Sequence, residues 1–519
     1  MMGGDQGGKM VKSLRGAAQK YLGVGFLLGF FLVLLTYFTV SEQFAIAAPN
    51  AIRRSSPGHN TPATPAVAEK THQLPIVKEE EEPKPKPEEV QEKPPPVVDE
   101  EQETHPETEE APGAGSSTAV PVRSTPDESA PAKKPACDIQ GPWASDVCAI
   151  DAGVRIQGSA RTVLITPPIE SGGANPNPQS WQIVAYSRKH QAGMIPITVR
   201  ELATAAEAPA CDVTSEVPAM VFAMGGLTGN YWHDFSDVMI PLYLQASKFQ
   251  GEVQLVVTNL QPWYAGKYRQ ILGKLSKYQI IDMDNDKQVR CYPRGSVVGI
   301  RMHKEFSIDP EKAPTGHSMP EFTAFLRDVF SLPRAKPTPP AAIVSGEKKP
   351  RMMIISRRHP RALVNVAAVK AMAERVGFEV VIGDPPFSQD VGAFAAEVNT
   401  ADVLLGVHGA GLTNSLFLPT GAVFIQIVPY GKMEHIAETD FGIPAFDMGL
   451  HYVAYSAGVE ESSLVETLGR GHVAVADPEA VHRSGWDKVA EYYLGRQDVK
   501  LDLARFEPVL LKAMATLRE

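Results

Sequence analysis

The sequence has little cysteine for its length. Four cysteines in 519 residues exclude a small domain held together mainly by disulfides and leave room for at most two bridges. Their spacing also lacks the pattern of a zinc site. The G-x-S-x-G motif of serine hydrolases is absent. Because the sequence has no arginine- and lysine-dense stretch with interleaved aromatic residues, we expect no nucleic-acid partner.

Acidic residues are concentrated in one segment. Residues 79–110 contain fourteen Asp or Glu against three Lys, a charge of −11, so the rest of the chain carries about +1 of the formal net charge of −10. The surrounding residues 49–136 include seventeen prolines and no Phe, Tyr or Trp. Such a composition cannot bury enough apolar surface to fold. We interpret residues 41–136 as a disordered stem, with an acidic interaction tail as the alternative.

One long apolar run precedes the stem. Residues 21–40 are twenty consecutive uncharged, mostly apolar positions, about the length that spans a bilayer. Basic residues dominate residues 1–20, so the positive-inside rule predicts a cytosolic tail and a lumenal remainder. A cleaved signal peptide ending near Ala45-Ile46-Ala47 is the alternative, although the run is longer than a usual signal-peptide core.

The four cysteines begin where the composition changes, at Cys137. In an oxidising lumen they are expected to pair, and three connectivities are open. The ten residues between Cys137 and Cys148 favour a local loop. Cys211 and Cys291 would then form the second bridge by elimination.

Short apolar runs alternate with helical patterns after Cys137. The predicted strands are residues 218–226, 253–259, 351–356, 378–384, 402–409 and 422–429, and the predicted helices are residues 322–330, 364–376, 387–398 and 412–417. Repeated strand–helix units indicate doubly wound parallel sheets. A proline-rich linker, residues 332–350, separates two predicted Rossmann-like domains, residues 137–331 and 351–519. Two such domains facing a cleft are the α/β arrangement of GT-B nucleotide-sugar transferases.

A glycine-rich turn, GVHGAGLTN at residues 406–414, follows one of these strands. Because Gly409 and Gly411 have no Cβ, a diphosphate could approach backbone amides at the start of the next helix. A turn without a ligand is the alternative. Cations at neighbouring strand ends favour the diphosphate: Arg357, Arg358, Arg361, His408 and Lys432.

A second polar cluster lies in GGLTGNYWHDFSD, residues 225–237. On a helix, His233 and Asp237 (i, i+4) or Asp234 and Asp237 (i, i+3) share a face. One of these three side chains is our candidate for the base that removes a proton from an acceptor hydroxyl. The alternative is a structural role, with the aspartates bonding backbone amides.

Two other features bear on function. Asp282 and Asp284 form a D-x-D pattern that could hold Mn²⁺ on a diphosphate, and a polar turn is the other interpretation.

Four tryptophans are candidates for stacking on sugars, although core packing is the commoner role. They are Trp143, Trp181, Trp232 and Trp263, of which Trp232 is best placed. We assign no role to Tyr186 and Arg188 in AYSRKH beyond surface charge.

Four segments together resemble glycosyltransferase family 61, in particular its grass xylan pentosyltransferases. They are CDIQGPWASDVC, GGLTGNYWHDFSDVMIPLY, IISRRHPRALVN and GVHGAGLTNSLFLP. The resemblance covers residues 137–519, and AYSRKH, with Tyr186, Arg188 and Lys189, also resembles a family motif. It implies a GT-B fold, a UDP-pentose donor, inversion at the anomeric carbon and no obligatory metal ion or other cofactor.

The resemblance also implies a donor-binding set. Its members in this sequence are Arg357, Arg361, His408, Gly409, Gly411 and Asn414. Many family members have an acidic residue in the next strand, where this chain has Gln426. A neutral amide can still bond a ribose hydroxyl, so Gln426 completes the predicted donor site.

We therefore expect a type II membrane enzyme of the Golgi that transfers xylose or arabinofuranose from a UDP-sugar to xylan or a xylo-oligosaccharide. Further copies of the chain, or other transferase subunits, are candidate partners in the membrane. Two alternatives remain: a Mn²⁺-dependent GT-A-type transferase using Asp282 and Asp284, and a non-catalytic subunit of a transferase complex.

Overall fold

A computed structural model describes residues 135–139, 141, 145–167, 174–313, 315–384 and 391–519. The predicted cytosolic tail and membrane helix, and all of the predicted stem except residues 135 and 136, lie outside these ranges. Within them, no helix is long and apolar enough to cross a bilayer.

Seventeen strands lie in the described part of the chain and form three sheets. They are β1 Ala136–Asp138, β2 Val147–Ile150, β3 Val154–Gln157, β4 Thr162–Ile165, β5 Ser180–Ile183, β6 Ile197–Glu201, β7 Val213–Thr214, β8 Ala219–Ala223, β9 Gln254–Thr258, β10 Ile281–Asp282, β11 Val289–Tyr292, β12 Ser296–Val298, β13 Arg351–Ile355, β14 Glu379–Gly383, β15 Val403–Val407, β16 Val423–Val428 and β17 His451–Ser456. The sheet orders are β1-β2-β12-β8-β9-β10, β5-β6-β4-β3-β11-β7 and β14-β13-β15-β16-β17.

Helical segments of three kinds connect the strands. The α-helices are α1 Tyr231–His233, α2 Ile240–Ala246, α3 Pro262–Lys267, α4 Arg269–Leu275, α5 Met319–Val329, α6 Pro340–Val344, α7 Val366–Val376, α8 Val391–Asn399, α9 Glu434–Ala437, α10 Ile443–Asp447, α11 Leu464–Leu468, α12 Val473–Ala476, α13 Pro478–Arg483, α14 Trp486–Val489 and α15 Leu503–Thr516. The π-helical segments are Asp234–Met239, Glu438–Gly442 and Ala490–Leu494, and the 3₁₀ segments are Ala205–Glu207, Ser247–Phe249, Ala410–Phe417 and Val459–Glu461.

The third sheet confirms the predicted parallel sheet of the C-terminal half. Its five strands are parallel throughout, and β15 and β16 are buried at every position. Continuous apolar runs are typical of strands covered on both faces. Helix α7 ends at Gly377, whose φ of 117° lies in the left-handed region that glycine adopts easily.

The N-terminal half differs from the prediction of a single parallel sheet. Strands β12, β8, β9 and β10 are parallel, as predicted for such a domain. A second, mixed sheet accompanies them, with three antiparallel and two parallel strand pairs, and the sequence pattern did not predict it. Strands β3 and β6 of this sheet alternate over most of their length. In β3, Val154 and Ile156 are buried and Arg155 and Gln157 are half-buried. Such short alternating strands give a weaker signal than continuous apolar runs.

Both predicted disulfides are present. Cys137 is directly opposite Cys148 in the antiparallel pair of β1 and β2, and the two are bonded. Cys211 is bonded to Cys291 of β11, across 80 positions of sequence. The pairing proposed from loop length and elimination is therefore confirmed.

Residues 332–350, the predicted linker, contain the short helix α6. Arg334 is tied to the C-terminal sheet because its guanidinium donates to Asp402 at 2.5 Å. The Asp402 carboxylate also accepts from the backbone and hydroxyl of Thr338, at 2.7 and 2.9 Å. This segment is therefore anchored to the start of β15.

The two halves share one hydrophobic core. It runs from the first sheet, through the helices that follow β8, to one face of the third sheet. Phe417 of the C-terminal half packs on the N-terminal half, because the centroid of its ring lies 6.3 Å from that of Phe235 and 5.7 Å from that of Phe330. The carboxyl ends of β8 and β15 consequently lie on the two sides of one interface.

Candidate active site

The N-terminal part of the site begins in the glycine turn after β8. Gly226 has a φ of 55°, and a Cβ there would lie 2.7 Å from the ring of Tyr186, so a larger residue would be both strained and crowded. Asn230 then caps helix α1, because its side chain accepts from the amide of Trp232 at 3.1 Å. The helix continues through the π-helical segment Asp234–Met239.

His233 and Asp237 form the predicted i, i+4 pair. The distance from His233 Nδ1 to Asp237 Oδ2 is 3.0 Å, and both side chains are buried. Asp237 also accepts from the Tyr186 hydroxyl and from Arg188 Nε, each at 2.9 Å. Burial raises the pKa of Asp237, but Arg188 and His233 outweigh it and lower this pKa to about 2.

The ionised Asp237 determines which ring nitrogen of a neutral His233 carries the proton. A carboxylate only accepts hydrogen bonds, so the neutral imidazole of His233 must carry its proton on Nδ1. Its Nε2 then has a free lone pair. This buried nitrogen has no hydrogen-bond partner in the described part of the chain. The arrangement is that of a histidine base oriented by an aspartate.

Asp234 points to different partners. Its carboxylate accepts from the Gly229 amide at 2.8 Å, from the Tyr268 hydroxyl at 2.6 Å and from Lys267 at 3.4 Å. Burial raises its pKa, although Lys267 and Tyr268 oppose this. The structure therefore places Asp234 under the glycine turn, where it fixes the backbone, and not beside His233.

The C-terminal part of the site lies at the end of β15. Gly409 has a φ of 146°, and a Cβ there would collide with the Arg357 guanidinium and lie 2.9 Å from Arg361 Nη1. Arg361 also donates to the His408 carbonyl at 3.0 Å. Burial and the neighbouring Arg357 lower the pKa of Arg361 to about 9, so it remains charged at neutral pH. Two adjacent guanidinium groups make this edge strongly cationic.

His408 is held by an amide. Gln426 Nε2 lies 2.8 Å from His408 Nδ1, and the Tyr452 hydroxyl donates to Gln426 Oε1 at 2.7 Å. Gln426 is fully buried, so it contacts His408 instead of reaching a ribose hydroxyl. His408 Nε2 is 3.7 Å from Asp440 Oδ2. Burial, Arg361 and Arg357 together lower the pKa of His408 to about 3.

Side chains from both halves meet at this point. The Trp232 indole donates to the Asp440 carbonyl at 3.1 Å, and the Tyr231 hydroxyl donates to Asn414 Oδ1 at 3.3 Å. Asp440 belongs to the π-helical segment Glu438–Gly442. Burial and the nearby Glu305 raise the pKa of Asp440 to about 8. The two groups of predicted residues thus share one site between the halves.

Some of the predicted cations and glycines contribute less to the site than Arg357, Arg361 and Gly409 do. Lys432 is exposed and pairs with Glu479, and Arg358 is exposed. A Cβ at Gly411 would make only an ordinary contact, 3.4 Å from Ile355. The sequence therefore placed the charge at the correct sheet edge but overestimated how many side chains supply it.

The D-x-D carboxylates are occupied by protein groups. Asp284 accepts from Arg161 at 2.7 Å, from Thr258 at 2.8 Å and from the Asn259 amide at 2.7 Å. The Asp282 carboxylate is bonded by Asn285 at 2.8 Å. No group of three or more His, Cys, Asp or Glu within the described ranges is arranged to hold a metal ion. These contacts are those of a polar turn.

The described tryptophans divide between core packing and exposure, and Trp143 lies outside the described residues. Trp232, the favoured stacking candidate, is only 7% exposed and packs on Phe306. Trp263 is 50% exposed, and its ring edge lies 3.6 Å from where a Cβ of Gly229 would be. An uncovered indole therefore stands beside the glycine turn that carries His233.

Sequence reasoning missed several residues of the site. Tyr186 and Arg188 were assigned to the surface, yet both are buried and hold Asp237. The AYSRKH resemblance was the available signal for them. Asp440 and Tyr452 gave no signal, because only the folding of the C-terminal half brings Asp440 to His408 and Tyr452 to Gln426.

Comparison with known proteins gives a consistent result. The family model described as Glycosyltransferase 61 matches residues 231–425. The chain is 43% identical over 393 residues to the β-1,2-xylosyltransferase XYXT1 of Oryza sativa subsp. japonica, covering 72% of this chain and 83% of the relative. It is 41% identical to the α-1,3-arabinosyltransferase XAT2 of the same organism, with coverages of 75% and 65%. It is 30% identical to the xylan glycosyltransferase MUCI21 of Arabidopsis thaliana, with coverages of 73% and 79%.

Proposed function

This chain belongs to glycosyltransferase family 61, and on that premise we propose that it transfers a pentose from a UDP-sugar to xylan with inversion at the anomeric carbon. The names of its relatives include xylosyl and arabinosyl activities and a xylan substrate. The donor is accordingly UDP-xylose or UDP-arabinofuranose. The product is a xylan side chain or its extension.

The observation that carries this proposal is the free Nε2 of His233. A buried imidazole with one nitrogen held by an ionised aspartate and the other without a partner in the described residues is prepared to accept a proton. The cations at Gly409 belong to the C-terminal half, which meets the segment of His233 where the Trp232 indole donates to the Asp440 carbonyl. A base facing a cationic phosphate site is what inverting sugar transfer requires.

In the proposed step, the acceptor hydroxyl is the nucleophile and UDP is the leaving group. The acceptor hydroxyl gives its proton to His233 Nε2 while its oxygen forms a bond to the anomeric carbon. The bond between that carbon and the diphosphate oxygen breaks, and UDP leaves with the electron pair. Asp237 stabilises the imidazolium that forms, and Arg188 keeps Asp237 ionised.

The leaving group would be held by the C-terminal half. Arg361 and Arg357 can take up the charge that develops on the diphosphate. A GT-B arrangement is part of the proposal, and the parallel strands in both halves support it. We also propose that no metal ion is needed, because two guanidinium groups lie where the charge develops.

Trp263 is the proposed contact for the acceptor. The apolar face of a sugar ring can pack on an exposed indole. Its position beside Gly229, four residues before His233, would bring a xylan backbone residue next to the base.

Transfer is tested directly with the full chain, a xylo-oligosaccharide and either UDP-sugar in the presence of EDTA. Product mass and linkage are then determined. One added pentose from one of the two donors is the expected result. Absence of product with both donors, while UDP still binds, would refute the proposed acceptor. Loss of activity in EDTA alone would refute metal independence.

We further propose that the chain is a single-pass type II protein of the Golgi membrane with a lumenal catalytic part. The two disulfides support an oxidising compartment. In sealed microsomes, the C-terminal part should resist added protease until detergent is present. Digestion without detergent would contradict this topology.

A further inference from the structure

Three neighbouring parallel strands carry a chain of side-chain hydrogen bonds into the site. His408 follows β15, Gln426 lies in β16 and Tyr452 lies in β17. The Tyr452 hydroxyl is 2.7 Å from Gln426 Oε1, and Gln426 Nε2 is 2.8 Å from His408 Nδ1. This three-residue relay is distinct from the His233 pair, which lies in the N-terminal half.

The chemistry of the amide gives the relay a direction. An amide nitrogen can only donate a hydrogen bond, so His408 Nδ1 must accept one. The Tyr452 hydroxyl donates to the amide oxygen and so favours this orientation of Gln426. The single proton of a neutral His408 therefore lies on Nε2. That nitrogen points toward Asp440, at the interface of the two halves.

Charged groups around His408 keep the ring neutral. Arg361 and Arg357 approach from the segment after β13, and Asp440 approaches from the π-helical segment Glu438–Gly442. The Phe441 ring packs edge-on against the imidazole. Burial and the two arginines disfavour an imidazolium, so the pKa of His408 falls to about 3.

We propose that Gln426 and Tyr452 are positioning residues that hold His408 as a neutral imidazole with its proton on Nε2, ready to donate to a phosphate oxygen of the leaving group. The last clause rests on the proposed function. The protonation state of His408 does not, and it can be measured without any substrate.

The first test is nitrogen NMR of the full chain labelled with ¹⁵N-histidine. The His408 signals are assigned by their loss in His408→Gln. We expect the neutral Nε2–H form, unchanged from pH 5 to pH 8. In Gln426→Glu the carboxylate can only accept, so Nδ1 must be protonated and the ring should titrate within this range. Either a wild-type Nδ1–H form or an unchanged spectrum in Gln426→Glu would overturn the proposal.

Tyr452→Phe gives a second variant of nearly the same shape. Without the hydroxyl, the Gln426 amide can rotate, and a fraction of His408 should appear as the Nδ1–H form. Tyr455→Phe is the matched control, because Tyr455 is in the same strand and its hydroxyl bonds Glu461 instead. A relay that does not orient His408 would give identical His408 signals in the two variants.

Kinetics provide the functional readout. In Gln426→Glu, kcat at pH 8 should fall about 100-fold, since Nε2 loses its proton. The loss should shrink as the pH falls, because an imidazolium carries protons on both nitrogens. Tyr452→Phe should lower kcat about tenfold, and Tyr455→Phe should leave it unchanged. A pH-independent loss in Gln426→Glu would indicate a merely structural role and would refute the proposal.

The two proposals can fail separately. The expected NMR result without pentose transfer would refute the proposed function and leave the relay standing. Pentose transfer by a chain whose His408 carries its proton on Nδ1 would do the reverse.

Discussion

The two halves of the site each place a histidine near an aspartate. At neutral pH the aspartate is ionised in one pair and protonated in the other. In the N-terminal half, His233 bonds an Asp237 whose pKa lies at about 2. In the C-terminal half, His408 has a pKa of about 3 and faces an Asp440 with a pKa of about 8. At neutral pH the first pair contains a carboxylate, whereas the second pair is uncharged.

The difference in charge between the two pairs comes from the arginine residues that lie beside them. Arg188 donates to Asp237 and stabilises its charge, whereas Arg361 and Arg357 lie beside the imidazole of His408 and destabilise an imidazolium. One histidine is thereby prepared to accept a proton and the other to donate a hydrogen bond. The same two residue types acquire complementary roles because the cations approach different members of each pair.

The largest expected effect tests the different roles of the two histidines, by comparing kcat of His233→Gln with kcat of His408→Gln. Glutamine cannot act as a base but can still donate a hydrogen bond. We expect His233→Gln to lower kcat by about 10²–10⁴-fold, and His408→Gln to lower it by about tenfold. Both values are measured at saturating UDP-sugar, with the exposed His435→Gln as a control. Equal losses in the two site variants would show that the histidines do not differ in role.

Arg361→Ala should act on the donor half alone. Loss of a charge-assisted contact to the diphosphate should raise KM for the UDP-sugar by about 10–100-fold, with little change in KM for the acceptor. Lys432→Ala, which removes an exposed cation paired with Glu479, is the matched control. If KM for the donor stayed at the wild-type value in Arg361→Ala, the cationic edge would not be the phosphate site.

Trp263→Ala should have the converse effect on the acceptor half. Loss of the exposed indole should raise KM for the xylo-oligosaccharide by about 3–10-fold and leave KM for the UDP-sugar unchanged. Trp263→Tyr should retain part of the affinity because an aromatic face remains. An effect confined to the donor would place the acceptor elsewhere.

The smallest effect concerns stability and pH. Asp440 has a raised pKa in the folded protein, so its contribution to stability is complete below the unfolded value of about 4 and is lost as the pH rises toward 8. Asp440→Asn removes this dependence. The Tm of the variant relative to wild type should therefore rise by about 2–4 °C between pH 6 and pH 8. Asp237→Asn should not produce such a rise, because Asp237 remains ionised over that range. If the difference in Tm between Asp440→Asn and wild type did not change between pH 6 and pH 8, the raised pKa of Asp440 would be contradicted.

The C-terminal half was the more predictable part of the molecule. Its buried parallel strands are continuous apolar runs, and its glycine-rich turn lies where predicted, after β15. The mixed sheet of the N-terminal half was missed because its strands are short and few of their positions form a continuous buried run, as in β3 and β5. Local hydrophobic pattern reports whether both faces of a strand are covered, and it weakens when one face is open.

The sequence by itself determined the local chemistry of this protein. The i, i+4 spacing of His233 and Asp237 fixes their contact within one helix, and the glycine at position 409 allows two guanidinium groups to come close. The loop lengths between cysteines also sufficed to predict the pairing. The first of these depends on neighbours along the chain, whose geometry is set by the backbone. Arg357 and Arg361 reach Gly409, and Cys211 reaches Cys291, only in the folded chain.

Only the tertiary structure decided how these groups are charged and oriented. Arg188 reaches Asp237 across 49 positions of sequence, and Asp440 lies near His408 because the π-helical segment Glu438–Gly442 packs on His408 through Phe441. Gln426 and Tyr452 are adjacent to His408 only because β15, β16 and β17 are neighbours in one sheet. Protonation depends on burial and on charges within a few ångströms, and the chain brings those charges together only when it folds.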